Sequence, residues 1–486
     1  MANRLISNIV SDFGGRVVHV ASTGLLLLVL TRTLGPESYG LLALALSIFS
    51  FSRFLSESGL PWAAARYIAA DTDDTSERAV AAVVESWILV VVASMIVAIS
   101  LVIGAEFIAT LVGEAGLGGL LLVGSTYVLF YTLYRYNRGI LQGYEAISAT
   151  AKLHAIKGLM TLLFVTVAVL VWRTPTAAVV GYVLAFAIAT LLGHWMVWQV
   201  SDLERSSIAT DGAVRMNILR YNVPLSVTRL SAEVDGHLDV ILVGALTNPT
   251  QVAFYTIGKQ ISQFTRVPAA SIGFALSPSY GAETAEGRTE AATSVYQESL
   301  TKTLTLYIPA CVGLFVVADP AIVTVFGEGY AGGVLVVQVL SLFVLFEALE
   351  NISGPALDYL GRARSRAVLK AITSVANVAL NVLLIPEFGA VGAAIATVIT
   401  YGTYAILSVG IVSTELPFDV RAVGRCVATA TVISVGMAAV VLVLLGLFSG
   451  LGGLVIAIGA SGVVWLVACQ AFDLINVEQV ANQLRG

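Results

Sequence analysis

The chain has 486 residues, 57% hydrophobic and 12% charged, with a net charge of -5 and a mean hydropathy of +0.89. A soluble domain carries about 25% charged residues, so soluble enzymes are excluded and a polytopic membrane protein is expected.

Apolar runs near the spanning length of about 20 residues begin at 8–30. Only Met1 to Ser7 precede that run, with one basic residue and no small-residue cleavage site, so it reads as a retained helix rather than a signal peptide. Here Asp12, Arg16, His19 and Thr23 fall within about 60° on one helix face. The second run, 40–62, places Ser50, Arg53 and Glu57 on one face. Runs at 79–103, 117–136, 153–172 and 177–198 follow. The seventh, 222–246, sets Arg229, Glu233 and His237 within about 80° and Asp235 and Asp239 on a second face. In the eighth, 251–278, Lys259, Gln263 and Arg266 share a face. The rest are 302–325, 332–356, 367–386, 389–412, 423–448 and 450–472. The predicted fold is an all-α integral membrane protein with 14 transmembrane helices.

Orientation follows from lysine and arginine placement. With both termini cytoplasmic, 19 of the 26 basic residues fall inside, two (Arg32 and Arg173) outside, and five (Arg16, Arg53, Arg229, Lys259 and Arg266) within helices. The inner set includes Arg135, Arg138, Lys152 and Lys157. The expected location is the cell membrane, multi-pass. The longest inner connections, near 199–221 and 279–301, are too short to fold as domains. No P-loop, HExxH or GxSxG motif is present, and His19, His154, His194 and His237 lack metal-ligand spacing, so no enzyme is expected. Cys311, Cys426 and Cys469 read as small packing residues.

The chain repeats. LGPESYGLLA from Leu34 and LTNPTQVAFY from Leu246 are offset by about 212, and GYEAISATAK from Gly143 and GRARSRAVLK from Gly361 by 218. Two pseudo-symmetric six-helix lobes are predicted, 1–215 and 216–415, with two C-terminal helices and a cytoplasmic tail in 416–486. Six is even, so both lobes enter the membrane in the same direction, as in parallel-repeat transporters with substrate near the midplane between the halves.

Each intramembrane cation costs about 2.5–3.5 kcal/mol unless it faces water or a counter-charge. Two readings stand for Arg53 with Glu57 and for Arg229 with Glu233: at i,i+4 they either pair only to lower insertion cost or line a hydrated cavity. Arg16, Lys259 and Arg266 have no such partner apart from Asp12 for Arg16, which itself reads also as a helix N-terminal charge. A phosphate or an acidic sugar is the ligand such cations suit, since guanidinium groups match phosphate oxygens bidentately.

LTRTLGPESYGLLALAL from Leu30, LDVILVGALTNPTQVAFYTIGKQIS from Leu238, FGEGYAGG from Phe326 and NVALNVLLIPEFGAVGAAIATVITY from Asn377 resemble polysaccharide-biosynthesis flippases. These are the Wzx-like members of the multidrug/oligosaccharidyl-lipid/polysaccharide exporter superfamily, and the resemblance covers essentially the whole chain. It implies translocation of a polyprenyl-(pyro)phosphate-linked oligosaccharide from the cytoplasmic to the outer leaflet by alternating access, for cell-surface polysaccharide or glycoprotein assembly. The site residues are then Arg16, His19, Arg53, Arg229, Lys259, Gln263 and Arg266. Partners implied are the lipid-linked oligosaccharide, membrane lipids and other polysaccharide-assembly membrane proteins, with no nucleic acid. In related lipid flippases the last two helices form a groove for the lipid tail, a role suited to the nearly uncharged run from Val427 to Phe472; an ordinary span is the plain alternative.

No cofactor is implied beyond a coupling ion, Na+ or H+. Some relatives bind sodium through an acidic residue on the seventh helix, two polar residues at i,i+4 on the eleventh and a threonine on the twelfth. Asp239, Asn377, Asn381 and Thr397 match those positions, with Asn381 where one relative has a carboxylate. Asn377 and Asn381 read equally as interhelical hydrogen-bonding residues. Glu347, Glu350 and Asn351 are further candidates for an ion relay. The alternative function, an ion-coupled small-molecule or drug antiporter of the same superfamily, predicts twelve helices and an acidic, aromatic-lined pocket.

Overall fold

The computed structural model describes residues 2–57, 59–69, 76–201, 212–265 and 288–472, without the side chains of 2–20, 67, 69, 76–79, 213, 221 and 223–235. Among the described residues all regular structure is helical. The helices are α1 (Ala2–Glu57), α2 (Leu60–Ala69), α3 (Ser76–Val112), α4 (Ala115–Gly143), α5 (Ile147–Trp172), α6 (Pro175–Val200), α7 (Gly212–Leu246) and α8 (Pro249–Thr265). After them come α9 (Thr289–Ala321), a π turn and a 3-10 turn, α10 (Val334–Tyr359), α11 (Ala363–Phe388), α12 (Ala390–Glu415), α13 (Val420–Leu447) and α14 (Gly450–Ala471).

Eleven of the described helical stretches are long and apolar enough to cross a membrane. One, Ala21–Glu57, is interrupted at Gly35 (φ 73, ψ 172), a left-handed conformation that glycine adopts without a Cβ clash. Pro36, whose fixed φ suits a helix start, resumes the helix, so the outer connection expected at Leu34 is a single non-helical residue. Outward faces carry exposed apolar side chains, among them Ile103, Phe107 and Leu111 on α3 and Val375 on α11, as a lipid solvent allows.

The chain divides into two compact units, Met1–Val252 and Ala253–Gly486. In the first, α5 packs on α1 and α6, α4 on α2, α3 and α6, and α7 on α1 and α3. Hydrogen bonds set the face that α4 turns inward. Tyr136 donates to the Val83 carbonyl at 2.6 Å, Asn137 to the Thr190 carbonyl at 3.1 Å, and Thr190 to the Phe130 carbonyl at 2.8 Å. A Cβ on Gly181 of α6 would stand 2.6 Å from the Val165 Cα of α5, so a bare glycine permits that close approach.

The second unit is built on α9. Ala292, Tyr296, Leu300, Leu304 and Ile308 form one buried stripe against Ile352, Ala356 and Leu357 of α10, Val412 and Leu416 of the α12 end, and Cys426 and Ala430 of α13. The sequence reading treated 279–301 as a connection, whereas residues 289–301 are helical. The error has a physical source: Glu290, Ser294, Gln297 and Glu298 depress the hydropathy, yet the apolar positions recur every four residues and bury one face. Val317 of α9 packs with Val441 of α13 and Leu454 and Ala457 of α14, and Trp465 donates to the Thr305 carbonyl at 3.1 Å. All three cysteines are free and buried.

Candidate functional site: a cation-rich aromatic interior

In the first unit, Tyr127, Tyr131, Tyr134, Arg135 and Arg138 follow the i, i+4, i+7, i+8, i+11 spacing along α4 and so lie toward one side of the helix. Arg53 of α1 donates to Glu57 Oε1 at 2.7 Å, and both side chains are 8% exposed. The i,i+4 pair therefore forms, and it is not isolated. Arg135 reaches Glu57 Oε2 at 3.2 Å, so one carboxylate serves two guanidinium groups. Arg53 also lies 4.6 Å from the Tyr131 ring centroid and Arg135 5.4 Å from that of Trp62 on α2. Tyr131 in turn packs on Phe186 of α6 at 4.5 Å between centroids.

Lys157 of α5 is 8% exposed, with its ammonium 6.0 Å from the Tyr134 centroid and 5.6 Å from that of Phe186, the ring on which Tyr131 packs. The Tyr134 hydroxyl meets His154 Nδ1 at 3.1 Å. Among the described residues this neighbourhood holds four cations, Arg53, Arg135, Arg138 and Lys157, and one carboxylate, Glu57. A low-dielectric interior with that imbalance attracts anions.

Sequence reasoning identified Arg53 but assigned Arg135, Arg138 and Lys157 to the cytoplasmic side. The missed signal was position within the run: Lys157 stands ten residues after Ile147, the first of α5, about 15 Å along the helix axis. The side chains of Arg16, His19 and Arg229, and the whole of Arg266, lie outside the described residues. In the second unit Lys259 is half-buried, its ammonium 5.7 Å from the Tyr255 centroid, and Gln263 is exposed.

The four polar positions matched to a coupling-ion site fall in both units. Asp239 of α7, in the first, is buried and accepts the Val240 N–H at 2.8 Å. In the second, Asn381 of α11 is fully buried and donates to Asn377 Oδ1 at 2.9 Å, and Asn377 donates to Thr400 Oγ1 of α12 at 3.1 Å. Thr397 instead meets the Tyr255 hydroxyl of α8 at 3.1 Å. Thr400, one turn from Thr397, was absent from the sequence set and is the threonine that Asn377 contacts. Asn381 Oδ1 is buried without a hydrogen-bond partner, and an oxygen of that kind suits a hard cation.

Glu347 and Glu350 of α10 are buried, and Asn351 donates to the Glu347 carbonyl at 2.9 Å. Arg366 of α11 stands 3.4 Å from Glu350 Oε1 and pairs with Asp358, while Lys370 lies over the Tyr401 and Tyr404 rings at 4.4 and 4.8 Å. Glu350 is thus answered by a cation of the neighbouring helix.

Comparison with known proteins places this arrangement in context. The family model described as polysaccharide biosynthesis protein matches residues 19–280, and a second, MatE, matches 224–383. A Haloferax volcanii protein named probable low-salt glycan biosynthesis flippase Agl15 is 22% identical over 267 residues, 53% of this chain and 57% of that protein. The match thus spans little more than half of that relative. A Shigella flexneri protein named putative O-antigen transporter is 22% identical over 376 residues, 75% of this chain and 87% of its own length. Among solved structures, the lipid II flippase MurJ in an inward closed conformation superposes with a TM-score of 0.77 at 15% identity, covering 97% of this chain and 100% of that one; the likeness is one of fold. With more than half its length matched by that first family model, the chain belongs to the polysaccharide biosynthesis protein family.

Proposed function

We propose that this chain is a flippase that moves a polyprenyl-(pyro)phosphate-linked oligosaccharide from the cytoplasmic to the outer leaflet by alternating access, for assembly of a surface glycan. The observation that carries the reading is the interior of the first unit, where four described cations and one described carboxylate lie among edge-packed and tilted tyrosine rings within helices apolar enough to span a membrane. Guanidinium and ammonium groups hold the phosphate oxygens, and aromatic faces suit sugar rings. Family membership and the names of the Haloferax and Shigella relatives support the same substrate class. A drug antiporter for cationic compounds fits less well, because its pocket calls for acidic residues where this one has cations.

Fourteen membrane passes are consistent with the described helices. The eleven long apolar stretches gain one when Ala21–Glu57 is divided at Gly35, and α7 and α8, too short or only partly described, supply two more. On that count both termini lie on one side, which the lysine and arginine distribution makes the cytoplasm, and lobes at 1–215 and 216–415, followed by 416–486, carry the parallel repeat. Arg16, His19, Arg229, Lys259, Gln263 and Arg266 join Arg53 in holding the head group. Sodium is the proposed coupling ion, held by Asp239, Asn377, Asn381 and Thr397, with Asn381 Oδ1 as the oxygen left over by the protein's own hydrogen bonds.

The test is export in a strain lacking this gene and carrying variants on a plasmid. Arg16→Ala or Arg266→Ala should abolish surface glycan and accumulate the lipid-linked precursor on the cytoplasmic side at normal protein levels. Unchanged export in both would remove the transport reading. Asp239→Asn should weaken the sodium dependence of export, and an identical sodium response would remove the ion site.

A further inference from the structure

Among the described residues the second cation group of the first unit has no ion-pair partner. Lys157 is 8% exposed, and among the described residues its ammonium lies against the Tyr134 and Phe186 rings, both near the outer limit for a cation over an aromatic face. An ammonium carries three N–H donors, and no carboxylate or hydroxyl among the described residues accepts from this one. The charged group that bears on it is Arg138, of the same sign, whose Nε is itself buried without a hydrogen-bond partner. Tyr134 and His154 complete the wall.

Depth matters here. Lys157 lies about 15 Å along α5 from its first residue, and Arg138 stands five residues before the end of α4, about 7.5 Å along its axis. Both helices join at the short connection Tyr144–Ala146, so the two cations sit inside the helical layer, not in the loop. Two like charges with unused donors in such a place are stable together when an anion lies between them. Two cations with free N–H donors suit the several oxygens of a phosphate or pyrophosphate group better than the two oxygens of a sugar carboxylate.

Resting on the flippase reading, we infer that Lys157 and Arg138, walled by Tyr134, Phe186 and His154, form an oxyanion site for a phosphate or pyrophosphate group within the first unit, separate from the Arg53–Glu57–Arg135 cluster. Glu57 already neutralises part of that cluster, so the Lys157 site holds the stronger unbalanced field. Its ligand enters from the cytoplasmic half of the helical layer, where a lipid head group or a carrier-borne pyrophosphate lies.

The experiment uses the full chain in phosphatidylcholine nanodiscs, with inorganic pyrophosphate and geranyl pyrophosphate titrated by microscale thermophoresis. Lys157→Met keeps the length and apolar stem of the side chain, Lys157→Arg keeps the charge, and Arg421→Gln, an exposed arginine of α13, is the control. Losing a charge-assisted contact should weaken binding about 10- to 100-fold in Lys157→Met. Lys157→Arg should stay within about threefold of wild type, and Arg421→Gln should be unchanged, because a charge held in place and a distant exposed charge leave the site intact.

A second arm replaces the disc lipid with phosphatidylglycerol. Lys157-dependent thermal stabilisation by that lipid, uncompeted by pyrophosphate, assigns a lipid head group; competition by pyrophosphate assigns a carrier-borne or free one. Either keeps the oxyanion site. Equal binding by wild type and Lys157→Met overturns it, as does the absence of saturable binding of either probe and of any lipid effect in wild type. If Arg16→Ala and Arg266→Ala retain export while pyrophosphate binding needs Lys157, the transport reading falls and the site stands. If those two variants lose export but binding is indifferent to Lys157, the site falls and the transport reading stands.

Discussion

Glu57→Gln is the most discriminating perturbation of the first unit. The Glu57 carboxylate is 8% exposed and bridges Arg53 at 2.7 Å and Arg135 at 3.2 Å. Breaking a buried pair by removing one partner costs about 3–5 kcal/mol, because the other charge is left uncompensated. Two corrections apply. Arg135 is 24% exposed and regains water, so its share is near that of a surface pair, about 0–1 kcal/mol. Arg53 keeps its place over the Tyr131 ring at 4.6 Å in both proteins, so that contact changes little. The glutamine retains one acceptor oxygen, which brings the expected loss to about 2–4 kcal/mol. Arg53→Met is different, since Glu57 keeps Arg135, and about 1–2 kcal/mol is expected. The double variant should cost less than the sum of the two by at least about 1 kcal/mol. Unfolding titrations with SDS, followed by tryptophan fluorescence, measure all three. Equal costs for the two single variants, or a Glu57→Gln protein as stable as wild type, would refute the bridging-carboxylate argument.

Other consequences are accessible to the same material. Gly181→Ala should destabilise by about 1–3 kcal/mol through overpacking, because its Cβ would meet the Val165 backbone at 2.6 Å; a neutral variant would show that α5 and α6 separate readily. Asn381→Asp should make melting more strongly sodium-dependent than in wild type, with a larger rise in Tm from choline chloride to sodium chloride, since a ligand bound only by the folded state stabilises it; identical curves in the two salts would exclude a cation beside Asn381. Outside the spans, burial and then the nearby Glu37 carboxylate push the Glu114 carboxyl above its ordinary value. A raised folded-state value means that its stabilisation is full below the ordinary carboxylate range and lost as pH rises through the raised one. Glu37→Gln should therefore lower the Glu114 titration midpoint seen by carbon NMR, and an unmoved midpoint would leave burial as the whole cause.

Much of the fold was legible because lipid imposes a simple code. Backbone groups in the bilayer must be satisfied within the helix, so apolar runs of spanning length mark helices, and α4, α5, α6, α10, α11, α12, α13 and α14 lie close to the predicted runs. The code fails where a helix carries polar residues on one face: residues 289–301 are polar enough to read as a connection, yet their buried stripe continues α9. It fails again at Gly35, where the polar connection expected between two runs is a single backbone distortion within one helical stretch.

The site was less legible, and for a different reason. Intramembrane cost flags a charge but says nothing of which neighbour answers it. Composition and periodicity alone determined that this is an all-helical membrane chain, that Arg53 and Glu57 share a helix face, and that Asn377 and Asn381 stand one turn apart. Tertiary packing alone decided that Arg135 shares the Glu57 carboxylate, that Asn377 contacts Thr400 while Thr397 meets Tyr255, and that Lys157 faces the Tyr134 and Phe186 rings. Helical spacing is a one-dimensional property, fixed by 3.6 residues per turn. Charge balance depends on distances between helices remote in the chain, and those distances exist only once α1, α4, α5 and α6 are packed.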